Sequence, residues 1–237
     1  ALSFPISNLN LSSSISGLTL GKDGNTQDIT IASSTSIAGP ITIYGGAINI
    51  NAALTATGTN TIALKGSGNV TDGASGYVVA SNLLLLGGNV TLDNAANNAV
   101  STLAASGVNG LTFANNNALS IGTVGGTNGL SASGAINVSS YTGNLSVSQN
   151  VVTTNTGSSA ITLNAGSNTA AGTSTGGNVI LSGTPSLTTS TNGRTVIYTG
   201  SVNDSTGITS FVGSGTGNFR YNSKVGTSNF TTALGTS

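Results

Sequence analysis

The amino-acid sequence predicts an all-β fold, a parallel β-helix (β-solenoid) with about 20–25 residues per coil. Three observations predict this fold: short strands that alternate apolar and polar residues, the return of these strands at a nearly constant interval, and Gly-Asn pairs that come directly before several of them. No stretch of the 237 residues has the apolar periodicity of a helix.

An apolar–polar–apolar unit recurs along the chain. Alternation with a period of two indicates a strand with one buried face. Glycine and asparagine lie between the units, which is typical of short strands separated by turns. The units occupy residues 29–31, 41–43, 48–50, 62–64, 90–92, 111–113, 119–121, 136–138, 145–147, 161–163 and 179–181.

The spacing of the units indicates stacked coils. One series of apolar residues advances by about 18–25 residues at each step, and a second by about 21 or 22. We therefore expect nine or ten coils, about 4.8 Å apart, with one shared core that holds the members of the first series from Ile48 to Ile161. The first series is Ile48, Val70, Val90, Leu111, Ile136, Ile161 and Val179, and the second is Ile41, Ile62 and Leu84.

Gly-Asn pairs mark the expected corners of the coils. They stand at residues 68–69, 88–89, 143–144, 177–178 and 217–218. Glycine and asparagine tolerate the positive φ that a sharp corner requires. Asparagine side chains at equivalent corners are also expected to stack and to form hydrogen bonds along the solenoid.

The composition excludes several classes of function. Charged residues make up 4% of the chain and the net charge is zero, so the surface lacks the basic residues that nucleic acid requires. No basic amphipathic stretch is present for binding to an anionic membrane. The longest purely apolar run, at residues 83–86, is too short to cross a bilayer. We therefore expect no nucleic-acid partner and no membrane insertion.

The chain divides into two predicted regions. Residues 1–193 form the coils, of which residues 1–28 can be an atypical N-terminal strand or cap. Residues 194–237 form a C-terminal cap or a transition segment, because large side chains gather there. These side chains are Arg194, Tyr198, Phe211, Phe219, Arg220, Tyr221 and Phe230.

The runs Gly88-Asn89-Val90-Thr91-Leu92 and Gly134-Ala135-Ile136-Asn137-Val138 resemble the repeats of filamentous-haemagglutinin-type large exoproteins of Gram-negative bacteria. The last segment, with Tyr198-Thr199-Gly200-Ser201, Phe219-Arg220-Tyr221-Asn222-Ser223 and Thr231-Thr232-Ala233-Leu234-Gly235, is similar to the stretch that precedes MBG-type repeats in such exoproteins.

The resemblance implies a right-handed parallel β-helix, export by two-partner secretion, and a role in adhesion or biofilm. The opening, Leu2-Ser3-Phe4-Pro5-Ile6, does not match the N-terminal secretion domain of these exoproteins. This departure favours a C-terminal piece of a longer polypeptide.

Five aspartates are the only carboxylates available for catalysis: Asp23, Asp28, Asp72, Asp93 and Asp204. Glycoside hydrolysis normally needs two carboxyl groups at a set separation, and Asp72 and Asp93 are about one coil apart. Their positions relative to the neighbouring strands differ, so we interpret both as turn residues. Asp23 and Asp28 lie in a segment faintly like a calcium loop, but it lacks the bidentate Glu. A polar surface loop is the favoured interpretation.

The chain lacks the residues that other common catalytic and metal sites require. The chain has no His and no Cys, which excludes serine triads and zinc sites. A Ser-Lys pair would need Lys22, Lys65 or Lys224 buried beside a serine. Thr-x-Thr units in residues 57–61, 173–175 and 189–191 suggest ice binding, but their spacing is irregular. Asn-x-Ser/Thr sequons occur by composition alone, at Asn69, Asn89, Asn137, Asn144, Asn203 and Asn229.

The predicted function is that of a secreted, non-catalytic rod on a bacterial cell surface, with a structural or adhesive role. Its expected partners are other copies of itself, or host and matrix glycans and surfaces, and it needs no cofactor or metal. One alternative is a subunit of an extracellular filament joined end to end or by strand donation. The other is a carbohydrate-active β-helix enzyme. For the filament, the near-alternating residues Leu2, Phe4, Ile6, Leu9 and Leu11 could add a strand to a neighbour.

Overall fold

A computed structural model describes residues 1–5, 11, 14–212 and 218–228. In these ranges the chain is a β-solenoid of 24 strands with one short helix, α1 (Ile208–Val212). The strands are β1 (Leu2–Phe4), β2 (Leu18–Leu20), β3 (Ile29–Ile31), β4 (Thr35–Ile37), β5 (Ile41–Gly45), β6 (Ile48–Ile50), β7 (Ala53–Ala56), β8 (Thr61–Gly66), β9 (Val70–Asp72), β10 (Tyr77–Leu86), β11 (Asn89–Leu92), β12 (Ala99–Val108), β13 (Gly110–Asn115), β14 (Leu119–Ile121), β15 (Thr123–Val124), β16 (Thr127–Asn128), β17 (Leu130–Ala132), β18 (Ile136–Ser140), β19 (Leu145–Val147), β20 (Val151–Thr153), β21 (Ile161–Ala165), β22 (Val179–Leu181), β23 (Leu187–Thr188) and β24 (Thr195–Tyr198).

Two parallel sheets run the length of the solenoid. Sheet 1 has nine strands in the order β1-β3-β6-β9-β11-β13-β18-β21-β24. The main path of sheet 2 is β2-β5-β8-β10-β12-β14-β19-β22. The side strands β4 and β7 join sheet 2 at β10, and β17, β20 and β23 join it through β12. The short pair β15–β16 is antiparallel. The predicted all-β solenoid is confirmed.

The solenoid has fewer turns than the sequence predicts. The eight strands on the main path of sheet 2 are joined by about seven turns of chain. The expected number of coils, nine or ten, is therefore too high. The difference arises in the last part of the chain, where coils are longer. Ile161 is in register with Thr195, 34 residues further on, whereas Val70 is in register with Val90 after only 20.

Six of the seven residues in the first apolar series stack as predicted. Ile48, Val70, Val90, Leu111, Ile136 and Ile161 are in register along sheet 1 and are buried. The placement of Val179 in this series is wrong, because Val179 pairs with Leu145 in sheet 2. Val179 follows Ile161 by 18 residues, which is close to the length of a full coil. Because the connection after β21 is long, this interval brings the chain only as far as sheet 2.

The second apolar series is wrong by one residue. Ile41 pairs with Ile62, and Ile62 pairs with Leu83 rather than with Leu84. In this run of leucines both faces of the strand are apolar, so alternation cannot identify the inward face. Leu84 packs on the outside of sheet 2 with Ala63, Ala104 and Val124 of β15. The pair β15–β16 therefore covers a second, small cluster.

Glycine has a positive φ at three of the four described Gly-Asn corners, and Gly68 is the exception. Gly88 has φ 66° and Gly143 has φ 79°. The neighbouring asparagine contributes its side chain: Asn144 Oδ1 accepts a hydrogen bond from the Asn178 N–H at 2.9 Å. Asn178 Oδ1 accepts one from the Ser201 N–H at 2.8 Å. These bonds confirm that corner asparagines link successive coils. Gly217 lies outside the described residues.

The two ends are formed by different segments. At the N-terminal end, β1 pairs with β3 and buries Phe4, while Leu11 and Ile15 pack against the core. Ile6 and Leu9 lie outside the described residues. At the other end, β24 continues sheet 1 into the region predicted as a cap or transition. Beyond it, Ile208 of α1 is buried against the core.

Candidate functional site

One outward-facing row of polar side chains runs along sheet 1. Each short strand turns its central residue outward between two inward apolar residues, as in the pattern of β3, β6 and β21. The register of the sheet aligns these central residues in a single file. We call this row the polar ladder: Ser3, Thr30, Asn49, Thr71, Thr91, Thr112, Asn137 and Thr162.

The polar ladder is neutral and is held rigidly. Asn49 Nδ2 donates to Thr30 Oγ1 at 3.5 Å, and Thr71 Oγ1 donates to Asn49 Oδ1 at 3.3 Å. Threonine has a restricted χ1, and strand pairing on both sides fixes the backbone of the inner rungs. The expectations from the sequence did not include this row of side chains. Its signal was the middle residue of each apolar–polar–apolar unit.

Sheet 2 carries a shorter row of the same chemistry. Thr61, Asn82, Thr102, Ser120 and Ser146 are aligned on its outer side, and Ile180 interrupts the row. The strands of this row contact the covering pair β15–β16 through β10 and β12. The outer side of sheet 2 is therefore partly occupied. The polar ladder is continuous from β1 to β21 and ends at Val196 of β24.

Asp72 is half-buried and is in register with the buried Ile50 of β6. Its carboxylate lies at a corner of the core and accepts three hydrogen bonds. Oδ1 accepts from the Asp93 N–H at 3.1 Å, and Oδ2 accepts from the Asn94 N–H and from Asn98 Nδ2, each at 3.1 Å. The bonds stabilise the turn that follows β11. Asp72 itself is the last residue of β9, which differs from its interpretation as a turn residue.

The pKa of Asp72 is raised above its ordinary value of 3.8. Burial of the carboxylate is the main cause, and the negative charge of Asp93 adds a smaller contribution in the same direction. The hydrogen bonds from Asn98, Asn94 and Asp93 oppose the rise. Asp93 itself is exposed. The structure thus brings these two aspartates together through the turn, with both Asp72 oxygens engaged.

Side chains of the loop with Asp23 and Asp28 form hydrogen bonds with backbone groups of the next coil. Asp28 Oδ1 accepts the Ala47 N–H at 2.8 Å, and Asn25 Nδ2 donates to the Tyr44 carbonyl at 2.8 Å. Both aspartates are exposed. Within the described residues, no three His, Cys, Asp or Glu side chains lie close enough to hold a metal ion.

The three lysines are half-buried or exposed. Lys65 Nζ donates to Tyr44 Oη at 3.1 Å and lies 4.7 Å from the centre of that ring. Lys22 and Lys224 are exposed. The Thr-x-Thr segments lie largely in connections between strands: residues 57–61 join β7 to β8, and residues 173–175 follow β21. Of the sequons, Asn137 is in the polar ladder and Asn229 lies outside the described residues.

A wide cavity of about 1450 Å³ opens at the C-terminal end. It is lined by β24 and by the segment that follows, and it contains Arg194, Arg220 and Lys224. No carboxylate lines it among the residues that the structure describes. Three large apolar side chains on its wall are exposed: Phe211, Tyr221 and Val225. A pair of catalytic carboxylates is therefore not assembled in this cavity by the described residues.

In the ranges that the structure describes, no helix is long and apolar enough to cross a membrane. The comparisons with known proteins add no relative. No family model matches the chain, and neither a curated protein nor a solved structure matches it. The resemblance to filamentous-haemagglutinin-type exoproteins stays a prediction, and the β-solenoid fold is what the chain itself shows.

Proposed function

We propose that this chain is a non-catalytic structural and adhesive rod of a bacterial cell surface. The observation that carries the proposal is the polar ladder, a file of eight hydroxyl and amide side chains. It lies on a backbone that is paired from β1 to β24. A row of this kind offers many equal, weak contacts, which sum to firm attachment when they engage together.

The chemistry of the row favours neutral, hydroxyl-rich partners. Its members carry no charge, so a polyanion such as nucleic acid gains no counterion release on binding. Hydroxyl and amide groups both donate and accept hydrogen bonds, which suits host or matrix glycans. Because the threonines are already restricted, little side-chain entropy is lost when a glycan binds.

The positions of the aspartates support a non-catalytic role. Both oxygens of Asp72 accept hydrogen bonds from the turn that follows β11, and Asp28 accepts one from the next coil. A carboxylate engaged in this way stabilises a corner. The cavity at the C-terminal end, which is large enough for a sugar, is lined by cations and aromatic rings instead.

The proposed setting is extracellular. Long solenoids rich in Thr, Asn and Gly, with few charges and no cysteine, fit an exported surface or biofilm-matrix protein of the filamentous-haemagglutinin type. Export by two-partner secretion belongs to the same proposal.

Adhesion of protein-coated beads to insoluble neutral polysaccharide tests the proposal. The variant carries three lysines in the polar ladder, T71K, T91K and T112K, and should lose most of the bead retention. The matched control carries T102K, S120K and S146K in the row of sheet 2, and should retain beads like the unmodified chain. Equal retention by both triple variants and the unmodified chain would show that the polar ladder is not the adhesive face. Release of reducing sugar from the polysaccharide would contradict the non-catalytic role.

A further inference from the structure

We propose that copies of this chain associate head to tail, with the outer edge of β1 of one copy pairing with the outer edge of β24 of another. The occupant of each end is therefore a second copy of this chain. The inference concerns assembly and goes beyond the adhesive role, which a single rod could perform.

The order of strands makes this pairing a continuation of the existing sheet. Sheet 1 begins at β1 and ends at β24, and its strands are all parallel. A second copy translated along the axis presents its β1 next to β24 in the same direction. Within the described residues, β1 pairs only with β3 and β24 only with β21. Open strand edges of this kind are templates for another chain.

The outer edge of β1 has backbone groups that can pair with another strand. The Leu2 N–H donates to the Asp28 carbonyl, and the Phe4 carbonyl accepts from the Ala32 N–H, each at 2.7 Å. In a parallel ladder, alternate residues direct their N–H and C=O groups to opposite sides of the strand. The N–H and C=O of Ser3 therefore point away from β3, towards the outer edge. Ser3 is also exposed.

The edge of β24 faces the cavity at the C-terminal end. The Arg194 carbonyl accepts from the Ile161 N–H at 3.3 Å, so by the same alternation Thr195 and Ile197 direct their backbone groups outward. All four residues of β24 line the cavity of about 1450 Å³ and are only half-buried. A short strand can therefore reach this edge.

The side chains match in the register that continues the core. Ile161 pairs with Thr195 and Leu163 with Ile197, so the next strand should place Leu2 over Thr195 and Phe4 over Ile197. The three exposed large apolar side chains of the described chain, Phe211, Tyr221 and Val225, are all at this end. Exposed apolar groups that cluster in this way are typical of a binding surface.

The charges of the two ends are complementary. Arg194 directly precedes β24 and Asp28 directly precedes β3, so they occupy the same position relative to strands of sheet 1. In the proposed assembly, Arg194 of one copy and Asp28 of the next copy are two strands apart, at a distance of roughly 10 Å. Three of the five basic residues line the cavity at the C-terminal end, whereas Asp23 and Asp28 lie in the first coil. This arrangement favours head-to-tail contacts over contacts between identical ends.

Such a contact does not close on itself, so it generates a filament. Nine strands per copy in sheet 1 correspond to an axial repeat of roughly 43 Å.

The test uses two proline variants of the whole chain, each of which removes one outward N–H: S3P blocks the β1 edge and T195P blocks the β24 edge. The conservative variants S3T and T195S are the controls.

Sedimentation velocity over a wide range of concentration, with electron microscopy, should show filaments for the unmodified chain, S3T and T195S. S3P and T195P should each be monomeric alone. Mixed together, they should form dimers and nothing larger, because each retains one functional end. Should either proline variant lose the circular dichroism spectrum of the unmodified chain, S3K or T195K replaces it, since an edge lysine also blocks pairing.

An unmodified chain that remains monomeric at every concentration would overturn the inference, and so would filaments formed by S3P or T195P alone. Bead retention on polysaccharide distinguishes this failure from a failure of the adhesive role. A monomer that still adheres through the polar ladder contradicts only the head-to-tail assembly.

Discussion

Asn98 Nδ2 donates a hydrogen bond to Asp72 Oδ2 at 3.1 Å and so joins two side chains that are 26 residues apart in sequence. Asn98 is fully buried. It also accepts the Val78 N–H at 2.8 Å and donates to the Ala114 carbonyl at 3.2 Å. The pair therefore connects successive coils at one corner of the core, where a charge would otherwise destabilise the fold.

The raised pKa of Asp72 predicts a dependence of stability on pH. The folded chain holds its proton on Asp72 at a higher pH than the unfolded chain, so stability should fall as pH rises from about 3.8 through the raised pKa, and then level off. The D72N variant should lose this part of the slope in urea unfolding measured at several pH values. D93N, at an exposed position, is the control and should retain most of it, because the charge of Asp93 makes only a small contribution to the raised pKa. A D72N slope equal to that of the unmodified chain would contradict the burial of the carboxylate.

Asn115 should be important for stability. Its side chain is fully buried, accepts the Val100 N–H at 2.8 Å, and donates to the carbonyls of Val100 and Asn117 at 3.0 and 2.9 Å. N115A leaves these buried backbone groups unpaired, so the free energy of unfolding should fall by about 1–3 kcal/mol. N117A, at an exposed side chain, should change it by less than about 0.5 kcal/mol. Equal losses in urea unfolding would show that the corner network contributes little.

Substitution of two glycines with nearly the same φ should distinguish the cost of backbone strain from the cost of steric crowding. Gly88 has φ 66° and Gly107 has φ 64°. A Cβ at Gly88 would clash with the carbonyl oxygen of Gly68, whereas one at Gly107 meets open space. G107A should therefore cost roughly 1–2 kcal/mol from strain alone, and G88A about 1–3 kcal/mol more from overpacking. Thermal unfolding of both variants measures the difference, and equal costs would mean that the coils are not in close contact at this corner.

The sequence predicts the fold well where strands alternate strictly. Ile48, Val70 and Val90 follow the period of two and the coil interval together, so their register could be predicted. Leu84 could not be placed, because a run of leucines has no alternation and the covering Val124 lies forty residues further along the chain. Val179 could not be placed either, since loop length is not encoded by periodicity.

Less of the candidate site than of the fold could be predicted from the sequence. The residues of the polar ladder lie in units that are easily found, but only the register shows that Thr71, Thr91 and Thr112 form one continuous row. The role of Asp72 was predicted as that of a turn residue. Its register with Ile50 and its hydrogen bond with Asn98 join distant parts of the chain, which short-range patterns do not contain.

A distance along the polar ladder is the strongest test of whether sheet 1 forms one stiff rod. The chain has no cysteine, so T30C and T162C can be spin-labelled together without further changes. Six steps of sheet 1 separate these positions, which corresponds to roughly 29 Å. Pulsed electron paramagnetic resonance should give a narrow distribution centred near this distance, broadened only by the labels. A broad distribution, or a distance far from this value, would contradict a stiff rod with one continuous polar ladder.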